Sequence, residues 1–180
     1  ITGMAQTDFD RLASSVVSLG NNFAVNEREI AEMATRLAAT GSQVNLTEAD
    51  ILAFAASLAS VGVEAESGGS SLSRLMSTLA NSVASGGQSL QQFADVAGMS
   101  AEAFQQAFRD DAAGAIVEFI AGLDRISESG GNVFAVLDEL GITEIRMRQA
   151  LLSAAGAHEM MADAIDTSSD AWQENTALTT

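Results

Sequence analysis

The stretch NEREIAEMATRLAATGSQVNLTEADILAFAASLASVG, residues 26–62, decides the fold class. Ile30, Met33, Ala34, Leu37 and Ala38 recur at i, i+3, i+4, i+7 and i+8, which puts them on one face of an α-helix. Asn26-Glu27-Arg28-Glu29 has the form of a capping box: the Asn side chain accepts from the third helical amide, and the Glu carboxylate reaches back to the cap amide. Thr47-Glu48-Ala49-Asp50 opens a second helix in the same way. Gly41 reads as the stop of the first helix and Gly62 as the stop of the second. Val25 precedes one cap and Leu46 the other, each facing an apolar residue one turn in, Ile30 and Ile51. Such hydrophobic staples fix the angle at which chain enters helix. Two helices meeting at a defined corner are therefore expected, not one rod.

The same signs extend along the chain. Leu72, Leu75, Met76, Leu79, Ala80 and Val83 form another helical stripe, as do Ile116, Phe119, Ile120 and Leu123. Ser89-Leu90-Gln91-Gln92 reads as a capping box, and Ser100, Asn132 and Thr143 as further N-caps. Met99 with Phe104 and Ile142 with Met147 are two more staples. Helices are predicted over 7–19, 26–40, 47–61, 70–85, 89–97, 101–109, 111–128, 132–140 and 143–167, the last with Gly156 as its candidate break. No sustained period-2 alternation calls for a strand. The expected fold is an all-α, compact bundle of about eight to ten short helices with Gly-marked corners. Its predicted extent is 1–166, with 167–180 a polar segment leading into the rest of a longer chain. The turns at Ser67-Gly68-Gly69-Ser70-Ser71, Ser85-Gly86-Gly87 and Ser129-Gly130-Gly131 read as flexible, and residues 64–71 and 167–180 as mobile. Residues 51–63 are apolar on nearly all sides. Such a helix lies at a domain centre or against another chain, and in the second case mediates self-association.

Composition narrows the function. The 180 residues carry 24 acidic side chains and eight arginines without a lysine, a net charge of −16. That surface repels nucleic-acid backbone and anionic lipid. With no Cys, disulfides and thiolate metal sites are excluded. No window reaches the ~18 apolar residues of a membrane span. The start, Ile1-Thr2-Gly3, has neither an initiator Met nor a basic stretch, and reads as the interior of a longer chain.

Four motifs invite a chemical reading. His158-Glu159 begins like a zinc-protease helix, but position 162 is Ala and the chain has no second His. The Gly-rich loop at residues 67–71 lacks the Lys of a nucleotide cradle. Asp110-Asp111 lacks the alternating oxygen ligands of a calcium loop and reads as a helix start. Ser89 to Phe108 has the spacing of a helix–turn–helix, but its second helix offers Arg109 against Glu102, Asp110 and Asp111. One Arg among three acids cannot neutralise phosphates. No catalytic, cofactor-binding or metal-ligating residue is assigned, and enzyme activity is not expected. The residues read as an acidic, all-helical interaction module; the alternative is an acidic helix–turn–helix regulator or DNA mimic.

Several segments together point to a family. They are Leu19-Gly20-Asn21-Asn22-Phe23-Ala24, Glu29-Ile30, Arg36-Leu37-Ala38, Glu48-Ala49-Asp50-Ile51, Ala55-Ala56-Ser57-Leu58, residues 60–69, residues 93–100, Phe119-Ile120-Ala121-Gly122-Leu123, Leu140-Gly141-Ile142 and residues 172–178. Combined over nearly the whole chain, they resemble the core region of the tape measure proteins of long-tailed phages. The resemblance implies a protein that sets tail length during assembly, occupies the tail tube and leaves around DNA ejection. It implies a few copies together, with the tube protein, tail assembly chaperones and baseplate hub proteins as partners. It implies a place in the virion tail, and in the host cytoplasm during assembly. It carries no catalytic residue or cofactor onto this segment.

Overall fold

The computed structural model describes residues 6–175; the readings of Ile1-Thr2-Gly3 and of residues 176–180 lie outside them. Ten helices follow one another: α1 (Gln6–Asn22), α2 (Glu27–Gln43), α3 (Glu48–Ser60), α4 (Ala65–Ser85), α5 (Gly87–Ala97), α6 (Ala101–Asp110), α7 (Ala112–Glu128), α8 (Val133–Glu139), α9 (Ile145–Ala155) and α10 (His158–Glu174). There is no strand among the described residues. The all-α expectation holds.

The corners share one device. At the end of α5, the amide of Met99 donates to the carbonyl of Ala94 at 2.9 Å and that of Gly98 to Asp95 at 3.1 Å. This is a Schellman motif, which satisfies carbonyls that the helix leaves open. Gly98 supplies the left-handed residue, with φ +73. The same pair of bonds recurs at Val63 and Gly62, at Gly131 and Gly130, and at Ile142 and Gly141. Met99 is also the residue before the Ser100 cap of α6, whose hydroxyl accepts from the Ala103 amide. One apolar side chain thus closes one helix and aims the next. That coupling makes a sharp corner out of a short linker.

The corner between α2 and α3 departs from the sequence reading. Gly41 lies inside α2 and is buried, and the helix runs on to Gln43. Asn45, with φ +63, takes the left-handed position, and Leu46 donates to Gly41. Gly41 serves packing instead: a Cβ there would lie 2.9 Å from Ile51 Cγ1. The capping boxes at Asn26 and Thr47 are both formed.

Three other expectations are corrected. Residues 65–71 are the first turns of α4, not a flexible turn, and Gly68 and Gly69 are buried. A Cβ at Gly69 would stand 2.7 Å from Arg36 Cβ, so the small residues let α4 approach α2 closely. Ser89 caps nothing. It lies within α5, which starts at Gly87 directly after Gly86, both with positive φ, and its hydroxyl meets that of Ser82 at 2.6 Å. The α9 cap falls on Glu144 rather than Thr143 and has no side-chain bond, so the Ile142–Met147 staple lacks its cap geometry.

Helix α3 is the centre. Every residue from Ile51 to Leu58 is buried, with α2 and α10 packed against it most extensively. The choice left open for this helix thus falls on the domain interior for Ile51 to Leu58. Helix α10 does not stop at 167: it continues to Glu174, with Ser168 and Ala171 buried, so the segment from 167 to 174 is part of the fold. It packs antiparallel to α1. Ser15 Oγ donates to the Ser168 carbonyl at 2.9 Å, Ser14 Oγ to Asn175 Oδ1 at 2.9 Å and Arg11 Nη1 to the Trp172 carbonyl at 2.7 Å. Ser168 Oγ in turn donates to the Ala49 carbonyl at 2.7 Å, tying the seam to α3.

Candidate interaction surfaces

The motifs singled out in the sequence do not converge on a site. His158 stands at the start of α10, half-buried, its Nδ1 2.9 Å from the Ala155 carbonyl and 3.4 Å from Asp124 Oδ2. Both neighbours are hydrogen-bond acceptors. Among the described residues, no group of three or more His, Asp or Glu side chains is placed to hold a metal ion. Asp111 is the N-cap of α7, accepting from the Gly114 amide at 3.0 Å. No helix among the described residues is long and apolar enough to cross a membrane.

The α5–α6 corner is built for packing. Phe93 of α5 is buried against Phe119 of α7, with ring centres 5.3 Å apart. Phe104 and Phe108 of α6 also enter the core. Gly122 of α7 faces α5 so closely that a Cβ would overlap the Val96 carbonyl oxygen. The outer face of α6 shows Glu102, Gln106, Arg109 and Asp110, with Gln106 Nε2 donating to Asp110 at 2.9 Å. No basic surface forms there to meet phosphate.

The arginines are largely committed within the chain. Arg28 pairs with Glu32 at 2.9 Å, Arg74 with Glu144, and Arg148 with Asp138. The hydrogen bond that Arg28 Nε donates to Glu32 raises the Arg28 pKa above its ordinary value, with the carboxylate charge adding to the effect. Arg11 and Arg125 donate to carbonyls near the ends of α10 and α5, Trp172 and Ala97, where the helix dipole is negative. The acids face outward. Glu159, Asp163, Asp166, Asp170 and Glu174 are exposed along one ridge of α10, about 20 Å long at ~1.5 Å per residue. None of the five has an ion-pair partner among the described residues.

Two concave surfaces stand out. A polar trough of about 570 Å³ lies between the Gly62–Ser67 corner and α9, with Glu64, Glu66, Arg146 and Gln149 on its walls. A second, of about 220 Å³, lies among α5, α7 and α8, and its walls include Val96, Ile126, Val136 and Leu140. The sequence reading missed this groove. Its available signal was Val136 with Leu140, an apolar i, i+4 pair beside the core pair Val133 and Leu137.

Fold and charge define an acidic, all-helical module. A family model for phage-related minor tail proteins matches residues 1–180, and the chain belongs to that family. Its role is accordingly a structural one in the phage tail. No curated protein and no solved structure matches it.

Proposed function

We propose that this chain is the core domain of a tape measure protein, and that it acts as a folded docking body rather than as a stretch of ruler. The observation that carries the reading is the family match over the whole chain, on segments that also resemble tape measure cores. A ruler converts residues into length, and a continuous helix of 180 residues would span roughly 270 Å at ~1.5 Å per residue. Here the chain turns back at Gly62, Gly98, Gly130 and Gly141. A compact body of this size has a radius of gyration of about 16 Å. Such a body takes part in assembly at one end of the tape or before the tube closes around it, and is remodelled if it enters the tube. Release around DNA ejection, a few copies together in the host cytoplasm, and contacts with the tube protein, assembly chaperones and baseplate hub belong to the same proposal.

A pair of in-frame deletions in the phage tests it, with tails measured by electron microscopy. Deleting residues 89–128 removes α6, α7 and all but the first two residues of α5, and with them Phe93, Phe104 and Phe119. The expected result is failed or misdirected assembly. Deleting an equal length of uninterrupted helix elsewhere in the protein is expected to give functional, shorter tails. Normal tails shortened by about 1.5 Å per residue in the 89–128 deletion would make this segment part of the ruler.

A further inference from the structure

We propose that the groove among α5, α7 and α8 is a docking site for an amphipathic helix of another protein, one that presents two apolar side chains a turn apart between Lys or Arg residues. The floor is aliphatic: Val96 from α5, Ile126 from α7, Val136 from α8 and Leu140 at the α8 C-cap. Ile126, Val136 and Leu140 are only half-buried, so apolar surface stays open to water in the unoccupied groove. A volume of about 220 Å³ holds about seven water molecules at ~30 Å³ each, or a pair of aliphatic side chains. The i, i+4 spacing of Val136 and Leu140 presents the ridge against which a second helix packs its own i, i+4 pair.

Charge selects the occupant. Asp95 stands on the α5 side of the groove and Glu139 on the α8 side, both exposed, and no basic residue is among its lining. An apolar helix flanked by cations meets a carboxylate on each wall. A second copy meeting this groove with its own does not fit the description, because it sets Asp95 and Glu139 against the same two carboxylates. Helix α8 spans only Val133–Glu139 and sits between the left-handed glycines Gly130 and Gly141. It is anchored inward by Val133 and Leu137. The docking site does not depend on the tape measure reading; either can fail alone.

The test uses the full chain and a helical peptide carrying two Leu at i and i+4 between Lys pairs. A basic peptide will gather on any surface this acidic, so the comparison peptide keeps the Lys and replaces both Leu with Ser. The expected result is that the Leu peptide binds at least about tenfold more tightly than the Ser peptide. Replacing Val136→Glu with Leu140→Glu removes that difference. Asp95→Asn with Glu139→Gln lowers affinity and flattens its salt dependence. Methyl resonances of the wild-type chain give a readout that needs no variant to fold: shifts on adding the Leu peptide should centre on Val96, Ile126, Val136 and Leu140. Equal binding of the two peptides, no binding of the Leu peptide, or shifts confined to the α10 ridge would overturn the proposal. A homodimer that Val136→Glu dissociates would overturn the choice of occupant.

Discussion

Helix α3 and the seam between α1 and α10 are both buried, by different chemistry. The middle of α3 is Ala, Leu and Phe, with Ser57 bonded back to its own helix at Ala53. Its burial rests on area removed from water, which is non-directional and tolerant of small shifts. The seam buries Ser14, Ser15 and Ser168, each fully enclosed. A buried hydroxyl must find a partner, and each of these does. The small side chains let the two helices come close, but the bonds hold only in one register. The centre therefore supplies most of the stability and the seam supplies position. A seam of this kind gives way before the core does.

That contrast can be broken by substitution. The largest effect is expected at the centre: Phe54→Ala leaves a void where a fully buried ring stood and costs about 3–5 kcal/mol in denaturant unfolding. A similar loss from Ser168→Ala would erase the distinction. Gly122→Val extends the comparison to α5 and α7, where no side chain fits beside the Val96 carbonyl. The expected cost is about 1–3 kcal/mol, or a structural shift seen by near-ultraviolet dichroism. At the seam, Ser168→Ala removes one bond to Ala49 and should cost about 1 kcal/mol. Hydrogen exchange sharpens the point: in Ser15→Ala, which removes the bond from α1 to the Ser168 carbonyl, α1 amides should exchange faster while those of α3 keep their rank as the slowest. The smallest effect is expected outside both regions. Arg28→Gln breaks an exposed pair with Glu32 and should leave the thermal midpoint unchanged within error.

The two regions also differ in how far they could be read. The start of α3 was legible because Thr47 and Asp50 are local partners, three residues apart, and their geometry depends on little else. The Gly62, Gly98, Gly130 and Gly141 corners were legible for the same reason. Gly41 and Gly68-Gly69 misled because their purpose is tertiary. Each makes room for a neighbour, Ile51 in one case and Arg36 in the other, and that neighbour is invisible to a local pattern. Ser-Gly-Gly-Ser-Ser has the composition of a turn, yet helix contacts override it. The end of α10 reads as polar from its Ser and Asp content. Ser168 is buried, while Asp166 and Asp170 face water on the same helix. The α8 groove depends on three helices meeting, which no single stretch announces.

Solution scattering from the 180-residue chain bears most directly on the central claim that this is a folded body and not a rod. A radius of gyration of about 16 Å, with a pair-distance distribution that closes near 50 Å, is the expected result. A distribution extending toward the roughly 270 Å of a continuous helix would contradict it.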